Sequence, residues 1–334
     1  MKIAILGAGA WGTALAINLS KNSNSKHEII LWTKDPMHCA QLLQERINRQ
    51  FLPKFLLPES LQLTSDLNCA VKADLVLIVI PTAGLRETLR AIAASNRAIP
   101  IIWGGKGFEA KSAKLPYQIA LEEYKGIAPY GVLSGPSFAQ EVARGLPVAL
   151  TLASHDEIFS KSIAAQIHTS RLRVYTSSDI IGVETGGAIK NVITIAAGIS
   201  DGMGLGSNAR AALITRGLAE ISRLGIKLGG KIETFMGLTG AGDLILTCTG
   251  ELSRNRQVGL SLAAGKSLSD ILKEIGHVAE GVHTARSVLK LSQELGVEMP
   301  ITQAVCSILD DKVPAKEALD ILLNREQKIE TIIS

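Results

Sequence analysis

A chain of 334 residues, 46% hydrophobic and 20% charged, has the composition of a folded globular protein of one or two domains, not of a disordered or fibrous one. Its net charge of +4 is mild, and it has no run of Lys and Arg interleaved with aromatics of the kind that grips nucleic acid. The four cysteines, Cys39, Cys69, Cys248 and Cys306, have no C-x-x-C spacing and read as reduced thiols, not as a disulfide frame or a zinc knot.

The chain starts on a strand. Ile3, Ala4, Ile5 and Leu6 form a short apolar run suited to a buried parallel strand, so no signal peptide is expected ahead of it. Gly7-Ala8-Gly9-Ala10-Trp11-Gly12 follows, and then a helix-forming stretch from Thr13. Strand, glycine turn and helix are the context in which a G-x-G-x-x-G spacing has physical meaning. Gly7 permits the tight turn, Gly9 lets backbone approach a pyrophosphate, and Gly12 lets the helix pack on the strand. The unpaired amides at the start of that helix would face the phosphates. The expectation is a Rossmann-type dinucleotide site.

A polar turn, Asn22 to Lys26, leads to a second strand, Glu28–Trp32. Its tip, Thr33-Lys34-Asp35, is where such a fold meets the adenosine ribose. NAD-preferring sites place an acid there to bind the 2′-hydroxyl. Lys34 instead suits a 2′-phosphate and favours NADPH, while Asp35 keeps NADH open or simply caps the helix starting at Pro36.

Next come a helix over Met37–Asn48 and a proline-rich connection from Phe51 to Pro58. The run Ala73–Ile80 reads as a strand buried on both faces, too short to span a bilayer, followed by a helix to Ala94. Further strands are expected at Ile99–Trp103, Tyr130–Leu133, Val148–Leu152 and Leu172–Tyr175, with helices at Ser112–Tyr124 and Asp156–Ile167. From about Ser178 strand patterns cease. Ile181–Ile199 reads as a long helix, apolar nearly all round and hence central. Helices follow at Asn208–Leu224 (capped by Ser207), Ser253–Ala264, Ser267–Glu274, Ala279–Leu295, Ile301–Leu309 and Ala315–Asn324. The fold class is therefore α/β, a Rossmann-type domain over residues 1–185 followed by an all-helical domain over residues 186–334.

Polar residues embedded in glycine-rich or apolar surroundings are the candidates for chemistry. Lys106 lies between glycines after a strand, either for close approach to a ligand or as a solvent-facing loop lysine. Ser134 to Ala139 reads as a strand-to-helix turn with amides able to meet a ligand, or as an ordinary proline turn. Lys190 lies in an apolar helix, where a lysine is costly unless its amine has a partner or snorkels to water. Held in such a place, a lysine has a lowered pKa and exchanges protons with a carbonyl or alcohol. Asp243 either bonds a lysine or a substrate hydroxyl, or caps a helix. Arg254 and Asn255 at a helix start suit a phosphate, with Arg256 sharing that work or making a surface pair. The six histidines make no metal-binding cluster, so no metal is expected.

Together these stretches resemble the bacterial type of the NAD(P)-dependent glycerol-3-phosphate dehydrogenase family over essentially the whole chain. The matching segments are GAGAWGTALA at Gly7–Ala16, SGPSFAQE at Ser134–Glu141, GGAIKNV at Gly186–Val192, TGAGDLILTC at Thr239–Cys248 and SRNR at Ser253–Arg256. The resemblance implies reversible reduction of dihydroxyacetone phosphate to sn-glycerol 3-phosphate, for phospholipid synthesis, with non-covalent NADPH or NADH. It makes Lys190 the proton donor and acceptor. It places Gly7, Gly9, Ala10, Trp11, Gly12, Lys34, Lys106, Ala139, Arg254, Val278 and Glu280 around the coenzyme. It places Lys106, Gly135, Ser137, Lys190, Asn191, Asp243, Ser253, Arg254 and Asn255 around the substrate. Gly105 departs from the pattern, which more often has a side chain there, and the position of Glu184 is left unassigned. A protein that only senses NAD(P) would need neither Lys190 nor the Arg254-Asn255 pair. An enzyme for another small acid would keep Lys190 and lose phosphate selectivity. A cytoplasmic protein without membrane insertion is expected, with a homodimer as the default assembly.

Overall fold

The computed structural model describes residues 1–21, 27–95, 97–275 and 280–324, which form two compact units. Met1–Gly105 and Pro116–Ile180 make the first; Lys106–Leu115 and the chain from Ile181 onward make the second.

In chain order the first unit contains β1 (Lys2–Leu6), α1 (Ala10–Ser20), β2 (Glu28–Trp32), α2 (Pro36–Glu45), β3 (Ile47–Asn48), β4 (Leu52–Leu56), β5 (Gln62–Thr64) and α3 (Leu67–Ala70). It continues with β6 (Leu75–Ile78), α4 (Leu85–Ala93), β7 (Ile101–Trp103), α5 (Pro116–Glu123), β8 (Tyr130–Ser134), α6 (Ala139–Arg144), β9 (Val148–Ala153), α7 (Glu157–Ile167) and β10 (Leu172–Ser177). Eight strands make one sheet in the order β10-β9-β8-β7-β6-β1-β2-β5, parallel except where β8 meets β9. The order runs outward both ways from β1 and β6, so their carboxyl ends form the switch point where open α/β sheets bind ligands.

Register explains the core. Ile3 pairs with Ile29 and Leu75, and Ile5 with Leu31 and Leu77, lining one face that packs against α1, while α7 packs on β9 and β10. The alternating residues Ala4, Leu6, Val76 and Ile78 are also fully buried, so the sheet is covered on both faces. Each such Ile or Leu contributes about 1.5–3 kcal/mol by leaving water.

Several boundaries differ from the sequence reading. The helix expected to reach Asn48 ends at Glu45, because Arg46 turns into the left-handed region at φ 53° and Ile47 starts an antiparallel pairing with β4. The proline-rich connection thus holds a strand. The helix expected from Ser112 begins at Pro116, and β5 and α3 carried too short a pattern to be read, whereas the turn read from Ser134 to Ala139 does lead from β8 into α6. Asp35 does cap α2, its Oδ1 accepting from Met37 N at 2.9 Å.

The second unit is helical: α8 (Ile180–Gly202), α9 (Gly206–Lys227), α10 (Ile232–Met236), a π-helical turn (Leu238–Gly242), α11 (Asp243–Thr249), α12 (Arg254–Ala263), α13 (Leu268–Ile275), α14 (Glu280–Glu294), α15 (Pro300–Leu309) and α16 (Ala315–Leu323). Among the described residues only α8 has the length and hydropathy of a membrane span, and 94% of that stretch is buried within the protein. It is the core helix of its unit. Ser207 lies inside α9 and does not cap it; the preceding Leu205 holds the cap position and offers no side-chain bond.

Candidate active site

At the end of β1 the glycine turn has the shape its sequence requires. Gly7 has φ +120°, and a Cβ there would come within 2.7 Å of Val79 O. At Gly12 a Cβ would lie 1.9 Å from Gly7 O, so any side chain would push α1 off the turn. An added Cβ at Gly9 meets open space. The first intrahelical bond of α1 runs from Thr13 N to Gly9 O at 3.0 Å, and Gly9 supplies no cap, so the amides of Ala10, Trp11 and Gly12 are the orphan donors of the helix end. An uncapped helix start beside an open glycine, at the switch point of the sheet, fits the pyrophosphate of a dinucleotide. Beside it, Gly104 lies where a Cβ would be 3.4 Å from the Trp11 indole nitrogen. At Gly105 a Cβ would lie 2.9 Å from Ile80 O, a close backbone approach that accounts for glycine.

Lys34 follows β2 with a side chain 84% exposed and pairs loosely with Glu87 at 3.7 Å. Such a pair contributes little and is easily exchanged for another anion. Gly135, with φ +139°, and Ser137, whose Oγ donates to Gly135 O at 3.0 Å, form the turn after β8, and Ala139 opens α6. Val278 lies outside the described residues.

The helical unit brings Lys106, Lys190 and Asp243 together. Lys190 projects from the middle of α8, and Asp243 is the first residue of α11, placed there by the π-helical turn before it. Asp243 Oδ1 accepts from Lys190 Nζ at 2.9 Å and Oδ2 from Lys106 Nζ at 2.6 Å. Lys190 is 5% exposed and Asp243 1% exposed. Neither alternative reading holds: Lys190 does not snorkel and Asp243 does not spend its carboxylate on a helix cap.

Burial pushes the Lys190 ammonium down to about 8; the Asp243 carboxylate opposes this and the Lys106 charge adds to it. Burial acts on Asp243 in the opposite sense, raising its carboxyl, but the two ammonium groups outweigh it and hold the group below the usual carboxylate range. Two ammonium groups on one buried carboxylate make a setting that favours an anion or a developing oxyanion.

Two threonines behind this cluster were not legible in the sequence. Thr194 Oγ1 is 2.7 Å from Lys190 O, Thr247 Oγ1 is 2.8 Å from Asp243 O, and the hydroxyls are 2.9 Å apart. Each follows its partner by one helical turn, so the pair staples α8 to α11 beneath Lys190 and Asp243. An i, i+4 Thr after each candidate was the available signal.

α12 lies against α8 at backbone contact. A Cβ on Gly198 would be 2.1 Å from Arg256 O, and one on Gly259 would be 2.2 Å from Ile195 O. That closeness sets Asn255 against Asn191, whose Oδ1 accepts from Asn255 Nδ2 at 3.0 Å, while Gly281 N donates to Asn255 Oδ1 at 3.2 Å. Ser253 caps α12, accepting from Arg256 N at 3.4 Å. Arg254 is exposed at this helix start, and Glu280 opens α14. Arg256 points elsewhere: its Nε and Nη2 both donate to Asp201 Oδ2, at 2.9 and 2.6 Å, so it braces α12 instead of joining Arg254. Among the described residues no group of three His, Cys, Asp or Glu is placed to hold a metal ion.

Comparison with known proteins identifies the family. Residues 2–160 match the model for the N-terminus of NAD-dependent glycerol-3-phosphate dehydrogenase, and residues 179–320 match that for its C-terminus. The glycerol-3-phosphate dehydrogenase [NAD(P)+] of Nitrosospira multiformis is 68% identical over 331 residues, 99% of each chain. That of Nitrosomonas eutropha is 59% identical over 332 residues, covering 99% of this chain and all of the relative. Among solved structures, glycerol-3-phosphate dehydrogenase from Coxiella burnetii superimposes with a TM-score of 0.92 at 42% identity, covering 97% of this chain and 99% of that one. With matches that run the length of both units, the chain belongs to the NAD(P)-dependent glycerol-3-phosphate dehydrogenase family.

Proposed function

We infer that this protein catalyses the reversible reduction of dihydroxyacetone phosphate to sn-glycerol 3-phosphate with NAD(P)H, a step that supplies glycerophospholipid synthesis. The observation that carries the reading is the buried Lys190–Asp243–Lys106 cluster, which offers a proton donor tuned towards neutrality inside a positive field.

When bound, the reduced nicotinamide supplies the hydride that the ketone carbon accepts. The residues that hold the coenzyme are Gly7, Gly9, Ala10, Trp11 and Gly12 at the pyrophosphate turn and Lys34 near the ribose, with Lys106, Ala139, Arg254, Val278 and Glu280 as further contacts. In reduction, Lys190 Nζ gives a proton to the carbonyl oxygen as negative charge builds there, and in oxidation the neutral amine takes it back. Asp243 orients both lysines and compensates their charge. Lys106 adds positive field beside the same oxygen. Arg254, Asn255 and Ser253 grip the phosphate, and Asn191 positions Asn255 while contacting substrate. Binding energy at the phosphate is then used to place the carbonyl. Gly135 and Ser137 are further substrate contacts by their place in the family motif.

NADPH is the preferred coenzyme, because Lys34 stands where an acidic residue would bind the ribose of NADH. The working protein is a cytoplasmic homodimer. The deciding assay follows NADPH oxidation by purified protein on dihydroxyacetone phosphate and on unphosphorylated dihydroxyacetone. Turnover confined to the phosphorylated ketone is expected; equal rates on both would refute the phosphate grip. Steady-state kinetics with both coenzymes test Lys34, and a large NADH preference would overturn its assignment.

A further inference from the structure

A chain of buried side chains joins the two loops of the α/β unit assigned to the coenzyme. At one end Thr33, at the tip of β2 beside Lys34, is 7% exposed, and its Oγ1 lies 3.2 Å from His38 Nδ1. His38 Nε2 lies 3.2 Å from Asn48 Oδ1. At the other end Asn48, wholly buried, donates from Nδ2 to Ala8 O inside the glycine turn and to Thr13 Oγ1 of α1, both at 2.8 Å.

The bonds polarise in one direction. Asn48 Nδ2 faces two acceptors, so its Oδ1 faces His38, which must then carry its proton on Nε2. Asp35 N donates to Thr33 Oγ1 at 3.4 Å, so the Thr33 hydroxyl proton is left for the bare His38 Nδ1. Phe51, edge-on to the His38 ring with centroids 5.6 Å apart, packs beside the imidazole. Each group has the partner its neighbour demands, and a buried network satisfied in this way holds its ends in one arrangement.

We propose that His38 and Asn48 are positioning residues that lock the ribose-side turn, Thr33-Lys34-Asp35, to the pyrophosphate turn, Gly7-Ala8-Gly9, so that one coenzyme meets both in a fixed spacing. The proposal rests on the dinucleotide reading of this unit. Both residues are buried and neither is among the residues assigned to the coenzyme; their effect is the preorganisation of two contacts that a flexible pair of loops would have to order on binding. Asn48 acts on the glycine turn through the Ala8 carbonyl, a hydrogen bond that no sequence pattern announces.

The test compares whole coenzyme with its parts. NADPH binding is titrated by its fluorescence, and 2′-AMP and inorganic pyrophosphate are titrated by calorimetry, in the wild-type protein, in His38→Leu and in the milder Thr33→Val. His38→Leu removes both imidazole bonds at similar volume. The expected result is about a tenfold weaker NADPH complex in His38→Leu and about threefold in Thr33→Val. Each fragment, touching a single loop, should bind within twofold of wild type. At saturating coenzyme, kcat and the KM for dihydroxyacetone phosphate should be unchanged in His38→Leu. NADPH affinity within twofold of wild type in both variants would overturn the proposal. So would fragment affinities that fall by the same factor as NADPH, because that marks local damage to a loop. Should His38→Leu fail to fold, Thr33→Val carries the same comparison. A wild-type protein that binds neither NADPH nor the fragments would instead refute the dinucleotide reading itself.

Discussion

Lys190 is a residue whose surroundings decide its chemistry. In water a lysine amine is protonated far above neutrality; buried in α8 beside Lys106 it falls to about 8, and Asp243 is the main group that keeps it from falling further. Ketone reduction needs the ammonium form, so kcat/KM for dihydroxyacetone phosphate should be level near pH 7 and decline above about pH 8. Oxidation of glycerol 3-phosphate needs the neutral amine and should rise over the same interval. Paired pH–rate profiles in the two directions check the sign. Asp243→Asn removes the charge that supports the ammonium, so the alkaline limb of the reduction profile should move to lower pH; a limb that stays or moves up would contradict the assignment. Lys190→Ala should lose about 10²–10⁴ in kcat, the usual span for a positioned acid, with NADPH affinity by fluorescence preserved. Retained turnover would remove its proton-transfer role.

At the scale of elements, the proposed phosphate grip lies on the first turn of α12, and the contact of α12 with α8 sets where that turn lies. Arg254→Ala should raise the KM for dihydroxyacetone phosphate by about 10- to 100-fold, the value of one charge-assisted hydrogen-bonded contact, and leave turnover on saturating substrate much closer to normal. Gly198 is a stricter case. A methyl group 2.1 Å from Arg256 O has nowhere to go, so Gly198→Ala must displace α12. A stability loss of about 1–3 kcal/mol, typical of overpacking, should come with a raised substrate KM. Denaturant melts and kinetics on the same preparation test the pair of effects; lost stability with an unmoved KM would separate the crossing from the site. Asp201 belongs to this scale too. By holding Arg256 and also accepting from Arg210 Nη1 at 3.1 Å, it ties the end of α8 to α9 and α12.

For the whole molecule, the glycine turn assigned to the pyrophosphate lies in the α/β unit and the residues assigned to the substrate phosphate lie in the helical unit. A ligand that binds only the folded chain stabilises it by mass action, about 2.7 kcal/mol at a hundredfold excess over Kd. NADPH at that excess should raise the melting midpoint, whereas dihydroxyacetone phosphate alone should do so only if the helical unit binds phosphate independently. Scanning calorimetry with each ligand distinguishes these outcomes. No shift with NADPH would remove the support that the glycine turn lends to the reading.

How much of this was legible beforehand follows from the range of the interactions. The buried strands, the glycine turn, the Asp35 cap and the long core helix are local patterns, in which period, small residues and punctuation determine the structure within a few residues. The helical C-terminal unit was equally legible. Short elements such as β5 and α3 were not, because three or four residues hold too little periodicity against tertiary contacts. The sequence by itself determined the class of coenzyme fold and nominated Lys106, Lys190, Asp243 and Arg254 one by one. Only the tertiary structure decided that both lysines share one carboxylate, that Arg256 turns away to Asp201, and that His38 and Asn48 join two loops. These pairings span tens of residues or more along the chain or hang on side-chain direction, and both depend on how folded elements pack, which no local pattern records.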